Sequence, residues 1–69
     1  IQTTDYFHTY RRIATEAQKH LSQSGTVIVE VGDNQADAVA EIFQSKGWSC
    51  IERRKDLDGM ERAIAFVRA

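Results

Sequence analysis

The chain has 69 residues, of which nine are basic and ten are acidic, so its formal net charge is only −1. This balance gives no field that would attract nucleic acid or an acidic membrane surface, and it excludes generic electrostatic binding to either. A chain of this length buries only about 60% of the surface of its unfolded form, so its core is small. Residues 1–69 are therefore expected to form a single domain.

The cysteine count and the lengths of the apolar runs bear on the cellular compartment. The single cysteine, Cys50, has no partner for an internal disulfide, and no apolar run has a signal-peptide layout or approaches the ~20 residues of a membrane span. We therefore expect a reducing, cytoplasmic compartment and no membrane partner. The chain begins with Ile1 and enters a helix pattern almost at once. We expect it to be an excised piece of a longer chain.

An amphipathic helix is predicted over residues 5–22. Side-chain oxygens in residues 3–5 are suited to cap its first amides, and the apolar residues that follow are three or four positions apart. These are Phe7, Tyr10, Ile13, Ala14, Ala17 and Leu21. His8 and His20 lie in the same helix, but we find no acidic or cysteine partner at a ligand spacing, so no metal site is predicted.

A short strand is predicted next, over residues 27–31, where four apolar β-branched residues indicate a strand covered on both faces. Glu30 interrupts this run, and an ionised carboxylate among buried valines is costly unless a partner or solvent meets it near the strand end. Gly32 then predicts a tight turn. Asp33 and Asn34 supply oxygens that can cap the following helix.

The second helix has a stripe of four residues that we expect to be buried, namely Ala36, Val39, Ala40 and Phe43. Asn34 and Asp37, three residues apart, resemble a capping pair at its start. Gly47 fits the left-handed position that commonly ends a helix. The strand over residues 48–54 mixes apolar and charged residues, which is typical of a sheet edge.

A turn over residues 55–59 leads to the last strand, residues 62–68, whose unbroken apolar run predicts that both faces and both edges are covered. The first two strands, joined through a helix, should be parallel with a right-handed crossover, and the short turn makes the third antiparallel to the second. The predicted fold is α/β, helix-strand-helix-strand-strand. Its three-stranded mixed sheet has the order 1-3-2, with the last strand antiparallel and interior.

This arrangement resembles the C-terminal part of a class I S-adenosylmethionine-dependent methyltransferase, which has a Rossmann-like sheet. Residues 30–35 match the pattern E-x-G-x-x-Q through Glu30, Gly32 and Gln35. Residues 56–62 match D-L-x-G-x-x-R through Asp56, Leu57, Gly59 and Arg62.

A third motif lies at the start of the chain. Residues 5–13 resemble the D-G-L-x-x-Y-R-R-I opening of the helix before the fifth strand, with Tyr6 in place of the usual Gly. Together the three motifs resemble the C-terminal portion of the HemK/PrmC family. The related ribosomal-protein glutamine methyltransferases share the E-x-G of the strand, but the D-L-x-G-x-x-R turn fits the release-factor branch better.

The resemblance implies methyl transfer from S-adenosylmethionine to the side-chain amide of the glutamine in the Gly-Gly-Gln motif of peptide chain release factors. The family's N-P-P-Y substrate motif is not in this chain, which has no proline, and the four glycines lie too far apart to form the family's cofactor loop. The resemblance therefore places cofactor binding and catalysis upstream. The implied partners are the remainder of the methyltransferase domain and a release factor.

Glu30 is the candidate substrate-binding residue, because open α/β sheets bind ligands at the carboxyl ends of their strands. The alternative is that Glu30 accepts bonds from backbone amides or from a basic side chain. Gln35 is expected to tie down the turn. Asp56 and Arg62 flank a turn in which Gly59 suits a positive φ, and a local ion pair is the simpler interpretation of both. No catalytic residue is expected in this segment.

A second function class stays open. A free-standing small α/β interaction module would use an exposed strand edge to pair with a partner. The basic run at residues 53–55 is typical of a solvated edge, and a ribosomal or release-factor surface is the alternative contact. Cys50 is expected to be a small buried hydrophobe. The nucleotide sequence upstream of Ile1 would distinguish a methyltransferase segment from a free-standing module.

Overall fold

The computed structural model describes the backbone of residues 3–69 and the side chains of residues 7–69. Its elements are α1 (Thr3–His20), β1 (Thr26–Glu30), α2 (Ala36–Ser45), β2 (Trp48–Lys55) and β3 (Glu61–Arg68). The strands form one sheet in the order β1-β3-β2, and both pairings are antiparallel. The predicted α/β class, strand order and interior last strand are confirmed, but the sheet has only antiparallel pairings and is not mixed. Strands β1 and β2 run in the same direction without being neighbours.

The sheet is covered on one face only. In the register of the strands Val29 pairs with Ile64 on the face that carries the buried side chains. Ile28 pairs with Ala65 on the opposite face, and Ile28 is 70% exposed. The prediction that β1 and β3 are covered on both faces is therefore wrong for this chain. An unbroken apolar run indicates burial, but it does not say whether the covering layer belongs to the same chain.

An aromatic cluster joins both helices to the sheet. Trp48, at the start of β2, is 1% exposed, and its Nε1 donates a hydrogen bond of 2.9 Å to the carbonyl oxygen of Ala14 in α1. The ring of Phe43 in α2 meets Trp48 edge to face, with centroids 6.4 Å apart. Phe43 also stacks on Phe66 of β3 at 4.3 Å. Such aromatic pairs contribute about 0.5–1.5 kcal/mol beyond the area that they bury.

The two helical stripes differ in how fully they are buried. All four residues predicted for α2 are buried, with Phe43 and Val39 at 0% exposure. In α1 the buried stripe reduces to Tyr10 and Ala14, whereas Ile13 is 38% exposed. The narrower stripe of α1 leaves an apolar flank beside β1.

The end of α1 is fixed by the end of β3. Arg68 Nη2 donates to the carbonyl oxygens of Gln18 and Leu21, each at 2.7 Å, and its guanidinium lies 5.4 Å from the centre of the Trp48 ring. A cation there satisfies carbonyls that the helix leaves open and complements the negative end of its dipole. Gly47, with φ of 92°, ends α2 in the left-handed region as predicted.

The start of α2 differs from the prediction. The N-cap residue is Gln35, and it makes no side-chain cap bond. Asn34 instead adopts φ of 61°, and Asp37 pairs with Arg53 at 2.7 Å rather than closing a capping pair. Asp33 pairs with Arg62 of β3. These side chains were predicted to cap the helix. Instead, arginines bind the two aspartates, and Asn34 takes part in the turn.

We predict that Phe66→Ala unfolds this domain. Phe66 is 0% exposed and stacks on Phe43, and truncation of a buried Phe to Ala typically costs about 3–5 kcal/mol. The matched control is Leu57→Ala, because Leu57 is fully exposed in the β2–β3 turn and should tolerate truncation. Urea unfolding followed by circular dichroism checks this, and equal midpoints for the two variants would contradict it.

Candidate functional site at the carboxyl end of β1

The three sequence motifs meet at the carboxyl end of β1. The hydroxyl of Tyr10, from the motif in α1, donates to the carbonyl oxygen of Glu30. Beyond the last strand residue, Val31 N donates to the carbonyl oxygen of Arg62 at 2.9 Å, so the pairing with β3 continues into the loop. Residues separated by 20 and by about 30 positions in sequence are thus brought to one end of the sheet.

Glu30 has its side chain in solvent, which corrects the expectation of a carboxylate among buried valines. Its neighbours Val29 and Val31 are 7% and 5% exposed, whereas Glu30 is exposed. Alternate residues of a strand point to opposite faces, so Glu30 faces away from the core. Within residues 7–69 no basic side chain forms an ion pair with it. The carboxylate is available to a group from outside this part of the chain.

The loop after β1 is held by its own residues. Gly32 N donates to Gln35 Oε1 at 3.1 Å, and Gln35 N donates to the Gly32 carbonyl oxygen at 3.3 Å. A Cβ on residue 32 would lie 2.8 Å from Gln35 Oε1, so a side chain there would push the Gln35 amide out of this hydrogen bond. The side-chain amide of Gln35 therefore holds the turn from within.

The β2–β3 turn is organised by Asp56. Its Oδ1 accepts from the backbone N of Asp58 at 2.9 Å and of Met60 at 3.0 Å, and its Oδ2 accepts from Arg62 Nε at 2.7 Å. The hydrogen bond from Arg62, followed by the one from Met60, lowers the pKa of Asp56 from its ordinary value. Gly59, with φ of 83°, supplies the left-handed residue that closes the turn.

Arg62 also reaches the β1–α2 loop, a contact that the sequence did not indicate. Its Nη1 lies 2.5 Å from Asp33 Oδ1, while its Nε holds Asp56. The bonds to Asp56 and then to Asp33 raise the pKa of Arg62. The sequence assigned Asp33 to helix capping, and no local spacing connects it with a residue 29 positions later. Arg62 therefore bridges two loops that carry two different motifs.

This chain is similar to known proteins over most of its length. It is 42% identical over 86% of its length to a release factor glutamine methyltransferase from Agrobacterium fabrum, and 38% identical over 94% to one from Thermodesulfovibrio yellowstonii. A bifunctional methyltransferase from Rickettsia felis is 40% identical over 90% of the chain. No family model and no solved structure matches.

The chain is homologous to a segment of release factor glutamine methyltransferases. It spans only about a fifth of the length of two of them, 20% of the Agrobacterium protein and 23% of the Thermodesulfovibrio protein. It spans 12% of the Rickettsia bifunctional methyltransferase. The resemblance found in the sequence is confirmed.

Two arginines of β2 form ion pairs with nearby carboxylates of this segment. Arg53 bridges Asp37 at 2.7 Å and Glu61 at 3.3 Å, and the hydrogen bond to Asp37 is the main reason that its pKa is raised. Arg54 pairs with Glu52 at 2.8 Å. Two members of the basic run at residues 53–55 are thus held by local partners. Cys50 is half-buried, and its Sγ lies 3.9 Å from the Glu52 carbonyl oxygen.

The histidines of α1 are placed away from this site. Contrary to the sequence analysis, His20 does have an acidic neighbour, because its Nε2 lies 3.7 Å from Glu16 Oε2. Two groups do not complete a metal site, and among the described residues no three candidate ligands cluster. No described helix is both long and apolar enough to cross a membrane.

We predict that Arg62→Met raises the pKa of Asp56 toward the ordinary value of about 3.9. Because the folded-state pKa of Asp56 is lowered, its contribution to stability is present above the unfolded pKa and is lost as the pH falls through the folded value. Carboxyl ¹³C shifts titrated between pH 2 and 7 measure this. Arg54→Met, which removes a cation paired elsewhere, is the control and should leave the Asp56 curve in place.

Proposed function

We propose that this chain is the C-terminal segment of an S-adenosylmethionine-dependent methyltransferase that methylates the glutamine side-chain amide in the Gly-Gly-Gln motif of peptide chain release factors. One observation carries the proposal: three proteins named release factor glutamine methyltransferases are 37–42% identical to this chain over 86–94% of its length. Release factors act in translation, so the parent protein is placed in the cytoplasm.

The chemistry of the proposed reaction explains what an end-of-strand carboxylate would do. An amide nitrogen is a weak nucleophile, so the enzyme must orient the amide and align its nitrogen with the methyl group. Glu30 presents acceptor oxygens to solvent at the strand end, and an amide N–H is a donor. We assign Glu30 the role of accepting a hydrogen bond from the substrate glutamine or from the loop that carries it.

We propose that the described residues hold no S-adenosylmethionine site of their own. Every buried side-chain nitrogen and oxygen atom among them already has a hydrogen-bond partner, so no buried side chain points to a missing ligand. The glycines are single residues in separate turns and do not form a phosphate-type cradle. We therefore place the cofactor in the part of the parent protein outside this chain, and we expect the segment alone to be inactive.

The uncovered surfaces support a larger sheet in the parent protein. Strand β1 pairs with β3 on one side only, and a groove of about 390 Å³ runs between its other edge and α1. Apolar side chains line this groove, among them Ile13, Val27 and Ile28. An unpaired edge with exposed apolar residues would invite aggregation in a free domain. We propose that the remainder of the methyltransferase domain pairs with this edge and covers the open face.

The same edge is the feature that a free-standing interaction module would use. The two interpretations differ in what occupies it: further strands of the same polypeptide, or a separate protein. Alignment with enzymes over most of this chain favours the first.

We predict that the 69-residue chain alone does not bind S-adenosylmethionine. Isothermal titration calorimetry should give no saturable heat with the segment, and saturable heat with the parent protein. Micromolar binding by the segment alone would overturn the placement of the cofactor site outside it.

We predict that Glu30→Gln in the parent protein lowers methyl transfer to a release factor without unfolding it. Glu30 is exposed in this segment, so its charge contributes little to the stability of the segment itself, whereas loss of one oriented, charge-assisted bond is worth roughly 2–4 kcal/mol, or about 10²–10³ in rate. Transfer of radiolabelled methyl groups and thermal unfolding are measured on the same preparation.

Glu52→Gln is the matched control for Glu30→Gln, because Glu52 is also an exposed carboxylate on the sheet but lies in β2. It should keep the parental rate. An unchanged rate per folded molecule in Glu30→Gln would remove Glu30 from the substrate site.

A further inference from the structure

We propose that Arg62, acting with Asp33, is a positioning residue of the methyltransferase. The pair holds the β1–α2 loop against the β2–β3 turn and so fixes the carboxyl end of β1, where Glu30 lies. This inference rests on the proposed function. It adds Arg62 and Asp33 as residues that act by orienting Glu30.

The first support is the geometry of the bridge. Arg62 Nη1 lies 2.5 Å from Asp33 Oδ1, and its Nε lies 2.7 Å from Asp56 Oδ2. Asp56 is in turn fixed by two backbone N–H groups of its own turn. A rigid turn thus holds the guanidinium, and the guanidinium holds the loop through Asp33.

The second support is the conformation of the loop beside the bridge. Asn34 follows Asp33 with φ of 61°, a left-handed conformation that asparagine adopts more readily than other non-glycine residues and that turns the chain sharply here. On the other side of Asn34, Gln35 bonds back to Gly32. The loop is therefore fixed on both sides of its left-handed residue, and Asp33 supplies one of the two attachments.

The third support is the short path to Glu30. Val31 N bonds to the carbonyl oxygen of Arg62, and Glu30 pairs with Ala63, the next residue of β3. Only Val31 and Gly32 separate Glu30 from Asp33. If the Asp33 attachment is lost, the strand end has one restraint fewer, and the Glu30 carboxylate takes a wider range of orientations.

Asp33→Asn is the sharpest test, because it removes the charge that holds the bridge and leaves the Asp56–Arg62 pair in the turn. The Asp33 side chain is 65% exposed, and exposed ion pairs contribute little to stability, so the parent protein should stay folded. We expect kcat for methyl transfer to fall about 10-fold, since small displacements of orienting groups have effects of this size or larger. Binding of S-adenosylmethionine should not change.

Two comparisons separate positioning from a merely structural role. Asp37→Asn removes the same charge from another Asp–Arg pair, whose carboxylate lies in α2 and outside residues 32–35, and it should keep the parental kcat. In a Glu30→Gln background, Asp33→Asn should cause no further loss, because a residue that acts through Glu30 has nothing left to position. An unchanged kcat in Asp33→Asn, or an equal loss in both backgrounds, would overturn the inference.

A readout without catalysis keeps this inference distinct from the proposed function. Amide hydrogen exchange at residues 32–35 should be faster in Asp33→Asn than in the parental protein, and unchanged in Asp37→Asn. Unchanged exchange in both variants would overturn the bridge as a restraint on the loop. If exchange is faster in Asp33→Asn but the parent protein methylates no release factor, the proposed function is wrong. The bridge would still be a restraint on the loop.

Discussion

The bond between the Trp48 indole and the Ala14 carbonyl fixes how the two layers of this small fold meet. Trp48 is 1% exposed, so its N–H would be unsatisfied in the core without a partner, and the partner is a carbonyl in the middle of α1. A buried, unpaired donor costs about 1–3 kcal/mol. The bond therefore sets the position of α1 along β2, and the Phe43 and Phe66 rings fill the space that remains.

The position of α1 determines what reaches the carboxyl end of β1. With Ala14 held over Trp48, Tyr10 lies one turn earlier in α1, and its hydroxyl donates to the Glu30 carbonyl oxygen. At the other end of α1, Arg68 closes the helix and keeps it against the sheet. The core thus connects, through one helix, to the strand end at which the three motifs meet.

Local patterns predicted those parts of the fold that depend on local rules. The stripe of α2, the left-handed Gly47 and the strand order follow from residue spacing, turn chemistry and the length of each connection. Contacts between distant residues did not follow, as the bridge from Arg62 to Asp33 shows. An aspartate before a helix suits a cap and an ion pair equally well, and only the folded geometry decides between them. The exposed Ile28 shows the same limit, since apolar character indicates burial without naming the cover.

The motif side chains divide into two groups by what they contact. Gln35, Asp56 and Arg62 direct their polar atoms to loops of this chain, and those bonds explain why their residue types are needed. Glu30 belongs to the same motifs, yet its carboxylate forms no ion pair within residues 7–69 and faces solvent. A fold that needed only a stable strand end would be served equally well by a neutral residue there. The difference supports a use for Glu30 beyond this segment, at the end of the strand where the other motif residues hold the loops in place.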